Sequence, residues 1–160
     1  MTLQGLYELV SPSDLIALRA LLTQVDLTLA GVDAPSVRLR VERDATGSLR
    51  GSSGFELSGD GRHALIRSVA VAVAVAPDRR GAGAGSRLAR YALAEATAAG
   101  VTRAWLFSRR SGTFWQKLGF DSADRYALAA AMPDAHQVRH FTRTGQLDRE
   151  VAWTRSLGGR

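Results

Sequence analysis

The chain has 160 residues, 46% of them hydrophobic and 22% charged, which is enough material and ordinary composition for one folded domain over residues 1–160. It has no cysteine, which rules out disulfides, thiolate metal sites and a cysteine acyl-enzyme. The formal net charge is +6, carried almost wholly by arginines spread along the chain, with Lys117 the only lysine. Such a surface suits a polyanionic small molecule better than nucleic acid, which calls for a clustered basic patch. No apolar run is long enough to cross a bilayer and no cleavable leader is visible, so the expectation is a cytoplasmic protein without membrane contact.

In chain order, Leu6–Val10 alternates as a first strand. Ser11-Pro-Ser-Asp14 is a helix entry, and Leu15, Leu18, Leu21 and Leu22 give the helix an apolar face to about Gln24. Residues 26–36 read as a loop or a short second helix. Val37–Arg43 sets Val37, Leu39 and Val41 against Arg38, Arg40 and Glu42, a strand with one wet face. Asp44–Gly47 is a hairpin turn. Leu49–Leu57 is the next strand, thin in side chains at Gly51, Ser52, Ser53 and Gly54. After a second turn at Ser58–Gly61, a long strand runs from His63 to Val75.

That strand leads into the most informative stretch, Val69–Leu88. Valine recurs at every second position until Pro77, which has no N–H to continue a ladder. Arg79, Arg80 and the glycines at 81, 83 and 85 follow, and then a helical pattern with Leu88, Ala92, Ala96 and Ala99 on one face, stopped at Gly100. The first N–H groups of a helix have no partner inside it, and glycines leave them open to a phosphate. The stretch reads as an anion cradle for a pyrophosphate. A P-loop would need Gly-Lys-Ser/Thr, and no lysine is present. A dinucleotide fingerprint would need a third glycine where Ser86 stands. The third pattern, Arg-x-x-Gly-x-Gly after a Val-x-Val-x-Pro strand, matches Arg80–Gly85 preceded by Val73–Pro77.

Further on, Val101–Phe107 is a strand, and Ser111–Phe120 is a short helix closed by Leu118-Gly119-Phe120. Met132–His136 enters a helix running to about Thr142, and Val151–Arg155 is a last strand. His136 and His140, four apart, have metal-ligand spacing but no evident third ligand, so no metal is expected.

The Arg80–Gly85 turn after its valine strand resembles the coenzyme A signature of the GNAT N-acetyltransferase superfamily, as does Phe114-x-x-x-Leu-Gly-Phe120 some 30 residues on. Pieces of residues 5–120 also resemble the arsenic-resistance N-acetyltransferases: Leu6-Tyr-Glu-Leu9, Ser11-Pro-x-Asp-Leu15, Val37-Arg38, Arg43-Asp44 and Leu65–Ala70. The sequence departs from that subfamily in its extra Val-Ala repeats after Arg67-Ser68 and in Phe107–Arg110. The superfamily implies an α/β (α+β) fold with a mixed, mostly antiparallel central sheet of about seven strands and helices on both faces. It implies acetyl transfer from acetyl-CoA to the amine of a small molecule or amino-acid-like acceptor by direct attack, without a covalent enzyme intermediate and without a metal. The alternative reading is an acyl-CoA-binding regulatory module with little turnover. A homodimer stays open.

Carried over residue by residue, the cofactor contacts are Val73, Val75, Arg80, Gly81, Ala82, Gly83, Ala84, Gly85 and Ser86. A bulge within Ser68–Val75 would free backbone N–H groups for the acetyl carbonyl. Many relatives place a base glutamate on the strand before the cradle; here that strand has none, and the nearest carboxylate is Glu56. It is the candidate catalytic base, against a reading as a turn-side partner for an arginine. Arg67, a cation in an apolar strand, needs an anion: Glu56, or the carboxylate of an acceptor. The usual thiolate-protonating tyrosine is matched by Trp115, which cannot serve as that acid. Tyr91 and Tyr126 read as packing residues.

Overall fold

In the computed structural model, residues 8–72 and 83–158 are described. They fall into two compact units, one formed by residues up to Phe55 together with 68–92, the other by 56–67 together with 93–160.

The first unit carries β1 (Glu8–Leu9), α1 (Leu15–Gln24), β2 (Val37–Arg43), most of β3 (Leu49–Leu57), the later part of β4 (His63–Val71) and the start of α2 (Ala84–Ala98). Its strands lie in the order β1-β2-β3-β4, with Glu8 opposite Val41 and Leu9 opposite Arg40. The chain enters α1 through a 3-10 turn at Pro12–Asp14. Ser11 N–H and its hydroxyl both donate to Asp14 Oδ2, at 3.1 and 2.9 Å, and Arg43 donates to Asp14 Oδ1 at 2.7 Å. The helix start is therefore fastened to the end of β2 as well as capped locally. Leu18, Leu21 and Leu22 of α1 bury against Leu39 and Val41 of β2, with Val32 and Ala70. Residues 26–36 are turns, with no second helix.

The second unit orders its strands β4-β5-β7-β6, with β5 at Arg103–Phe107, β6 at Asp121–Ala123 and β7 at Ala152–Ser156. β4 and β5 are parallel; β5 with β7 and β6 with β7 are antiparallel. The helices are the end of α2, α3 (Gly112–Lys117), α4 (Arg125–Ala131) and α5 (His136–Thr144). Leu65, Trp105, Leu128, Met132, Ala135, Val138 and Ala152 form its core. Strand β6 and helix α4 were not anticipated. β6 is only three residues long, and α4 is an alanine-rich turn pair whose apolar face rests on one buried residue, Leu128. Neither has a period to read. Tyr126 is not a packing residue: it is 49% exposed and its hydroxyl donates to Asp148.

Candidate active site

Strand β3 explains how the start of α2 is held. Its Gly51-Ser-Ser-Gly54 segment is buried throughout. A Cβ on Gly51 would sit 2.7 Å from Leu88 Cδ1 and 3.0 Å from the Ala70 carbonyl, so a larger residue would push α2 away. Ser53 donates to the Leu88 carbonyl at 2.6 Å, and Ser52 to the Ser68 carbonyl at 2.7 Å. Glu42, 4% exposed, takes both Arg50 of β3 and Arg87 of α2 as partners.

Helix α2 opens on Gly83, whose φ is +85° and whose carbonyl accepts from Arg87 N–H at 2.9 Å. Among the described residues nothing lies within 4 Å of a Cβ added there. Ala84, Gly85 and Ser86 are the first helical residues, so their N–H groups have no intrahelical acceptor and carry the positive end of the helix dipole. Gly83, Ala84, Gly85 and Ser86, the cradle candidates among the described residues, therefore lie at the helix entry. The cofactor candidates Val73, Val75, Arg80, Gly81 and Ala82 lie outside the described residues.

Strand β4 is irregular where a bulge was expected. Ser58 N–H donates to His63 O near the β3–β4 turn, whereas Ala72 N–H donates to Arg50 O at the other end. Over that stretch β4 uses one residue more than β3. Ser68 marks the place, with a left-handed φ of +59° inside a strand, a conformation that costs a non-glycine residue about 1–2 kcal/mol.

Glu56 and Arg67 gather in the second unit with a residue that sequence reasoning assigned elsewhere. Glu56 is 1% exposed. Its Oε1 accepts from the His136 backbone N–H at 2.9 Å, and its Oε2 lies 2.7 Å from His136 Nδ1. The cause is local. The residue before α5 is Ala135, which offers no side-chain cap, so the helix takes a carboxylate from 80 residues earlier. Arg67 is 3% exposed; burial lowers its guanidinium to about 10, and the Glu56 charge opposes that. It is a cation at neutral pH. The electrostatic partner that the sequence suggested for Arg67 is in place, while Glu56 is a buried helix cap and not a turn-side residue.

Three further side chains have structural partners. His63 Nδ1 accepts from Trp105 Nε1 at 3.0 Å. Trp115 is buried, edge-on to Phe114 and Phe120. Arg109 pairs with Glu150. Among the described residues no group of three or more His, Cys, Asp or Glu is placed to hold a metal ion, and no helix is long and apolar enough to cross a membrane.

Comparison with known proteins agrees with this layout. The Acetyltransferase (GNAT) family model matches residues 6–120, and the chain belongs to that family. No curated protein matches the sequence. Among solved structures, Neisseria gonorrhoeae N-acetylglutamate synthase complexed with coenzyme A and N-acetyl-glutamate aligns at TM-score 0.69 and 16% identity, over 95% of this chain and 35% of that one. The chain thus spans about a third of that synthase. Mycobacterium tuberculosis Rv2747, in complex with CoA and a second ligand, aligns at TM-score 0.71 and 16% identity over 95% and 99% of the two chains. A GNAT-family acetyltransferase from Staphylococcus aureus Mu50 aligns at 0.70 and 10% identity over 95% and 98%. These likenesses establish the fold.

Proposed function

We propose that the whole chain, residues 1–160, acts as one acetyltransferase domain that moves the acetyl group of acetyl-CoA to the amino group of a small acceptor bearing a carboxylate. Attack is direct; the absence of cysteine leaves no cysteine acyl-enzyme to form. The observation that carries the reading is that Glu56 and Arg67 are both buried and the Glu56 charge acts on Arg67, which immediately precedes the left-handed Ser68. In a GNAT domain that strand is where the thioester is expected, so the charges stand next to the chemistry along the chain.

Acetyl-CoA supplies an acetyl group activated as a thioester. The first-turn N–H groups of Ala84, Gly85 and Ser86 hold its pyrophosphate, with Arg80, Gly81, Ala82 and Gly83 completing the cradle, and Val73 and Val75 pair with the pantetheine amides. The bulge at Ser68 turns backbone N–H groups toward the acetyl carbonyl and stabilises the oxyanion. Arg67 matches an acceptor carboxylate with its planar two-N–H fork. Glu56 supplies the negative charge that drives deprotonation of the acceptor ammonium. An amino-acid acceptor agrees with the Neisseria synthase, which was solved with coenzyme A and N-acetyl-glutamate.

The test is thiol release from acetyl-CoA against a panel of amines with and without a carboxylate. Turnover confined to carboxylate-bearing amines is the expected result. Equal turnover of the matching amino alcohols would remove Arg67 as a carboxylate site, and coenzyme A binding without thiol release from any amine would leave a binding module.

A further inference from the structure

We infer that His136 is the group that takes the proton from the acceptor ammonium, and that Glu56 acts through it as a positioning residue. This deepens, and rests on, the acetyl-transfer reading above.

Glu56 is 1% exposed and both its oxygens face His136, one on the backbone N–H and one on Nδ1. An ionised carboxylate only accepts, so the hydrogen of the neutral ring sits on Nδ1. Nε2 then presents its lone pair, and it meets no partner among the described residues. The His136 side chain is 36% exposed, whereas that of Glu56 is 2% exposed. Of the two, the imidazole is the one an incoming amine can reach. The histidine is also held firmly: its backbone and its ring are fixed by the same carboxylate, at the first residue of α5. A base oriented by a third group is the arrangement that proton transfer at neutral pH uses.

Glu56 comes from β3, and Arg67 from β4 acts on Glu56. Asp134 precedes the helix, and Arg139 and His140 follow on it. Asp148 and Arg149 come from the 3-10 turn that packs on α5. The core of this unit is apolar, with Leu65, Trp105, Leu128, Met132, Val138 and Ala152.

The chemistry balances. His136 Nε2 takes one proton from the ammonium and passes it to water. The freed nitrogen lone pair forms the N–C bond to the acetyl carbon, and the C–S bond breaks as the carbonyl re-forms. The nitrogen gives its second proton to water on collapse, and the departing thiolate takes one from water, so one proton is released to solvent overall. No oxidant, reductant or metal is needed.

The test compares pH–rate profiles of the full chain, measured by thiol release with whichever amine the wild type turns over. His136→Gln keeps the backbone N–H bond to Glu56 and removes the imidazole. It should lower kcat about 100-fold or more, leave the KM for acetyl-CoA unchanged, and erase the acidic limb of the profile. Glu56→Gln should lower the plateau but keep an acidic limb, because the imidazole remains. His140→Gln, one turn further along α5, should behave as wild type. Wild-type kcat and an intact acidic limb in His136→Gln would overturn the inference. So would loss of the limb in Glu56→Gln with His136→Gln unaffected, which would make Glu56 the direct base. If Glu56→Gln fails to fold, Glu56→Asp takes its place and the His136 comparison still decides. Nitrogen-15 NMR of the ring is independent of turnover: hydrogen on Nδ1 in the wild type is expected, and hydrogen on Nε2 with a bare Nδ1 would overturn the assignment. A wild type that releases no thiol from any amine refutes acetyl transfer itself, a failure separate from either variant result.

Discussion

Replacing Gly83 by leucine should abolish tight coenzyme A binding and leave the protein folded. Gly83 has φ +85°, and among the described residues nothing lies within 4 Å of an added Cβ. The folding cost is therefore backbone strain alone, about 1–2 kcal/mol for an L-residue in the left-handed region, against roughly 5–15 kcal/mol for a typical domain. The same open space is where a phosphate must come to meet the first-turn N–H groups of α2. A leucine side chain fills it. Losing one or two charge-assisted hydrogen bonds at about 1.5–3 kcal/mol each weakens binding by about tenfold to about twenty-thousandfold. Isothermal titration with coenzyme A measures that directly, and urea denaturation measures the strain. Gly47→Leu is the control: φ is +88° and nothing lies within 4 Å, but it stands in the β2–β3 hairpin. It should show the same loss of stability and wild-type affinity. Equal affinities for wild type and Gly83→Leu, with the strain visible in denaturation, would refute the cradle.

Gly54→Ala should destabilise by about 1–3 kcal/mol or more. The new Cβ would run into the Arg38 carbonyl and Leu39 Cδ2, with Leu39 Cα at 3.0 Å, and backbone cannot swing aside; an unchanged urea midpoint would contradict this packing. Glu56→Gln should cost about 3–5 kcal/mol by leaving the Arg67 cation buried without its compensating charge, and adding Arg67→Met should recover part of that loss. A double-mutant cycle with no coupling would show the two charges to be independent. The Asp14 carboxyl is held below its usual range, chiefly by its Arg43 hydrogen bond and also by Ser11. Its folded value is thus lower than the unfolded value of about 3.9, so its contribution is complete above that pH and fades as pH falls through the folded value. Asp14→Asn should be less stable than wild type at pH 7 by about 1–3 kcal/mol, and the gap should close in acid; a gap constant down to pH 2 would exclude the linkage.

What could be read from the sequence was whatever the chain states locally. β2 and β3 have the residue limits expected from alternation, and Ser11–Asp14 leads into α1 as its capping residues require. The glycine-rich entry to α2 was legible because small residues at fixed spacing have few other uses, and Ser68 lies at the start of the window given for the bulge. The Glu56–His136 pair was not legible. Its partners are 80 residues apart, and His136 read only as half of a metal-ligand spacing with His140. The one available signal was negative: a helix entered through Ala135 has no cap of its own and must borrow an acceptor. Strand β6 and helix α4 were missed for a different reason, because short or alanine-rich segments carry no apolar period and are defined by what they pack on.

The low side-chain content of β3 then becomes intelligible as a positioning device. Ordinary strands earn their place with bulky β-branched residues, yet this one spends four consecutive buried positions on Gly51, Ser52, Ser53 and Gly54. Each has a separate geometric task. Gly54 admits the backbone of β2, and Gly51 admits Leu88 of α2. Ser53 binds the Leu88 carbonyl, and Ser52 binds the carbonyl of the left-handed Ser68. The hydroxyls satisfy backbone groups that a regular ladder or a longer helix turn would otherwise have to serve. Larger side chains would bury more apolar area, at about 25 cal/mol per Å², but would lift α2 and leave the irregular residue of β4 unsupported. The strand therefore gives up packing energy to fix two backbone features, the entry of α2 and the bend at Ser68. Under the proposed acetyl transfer those two features meet the pyrophosphate and the oxyanion, which gives a segment so weak in strand propensity a reason to lie buried beside them.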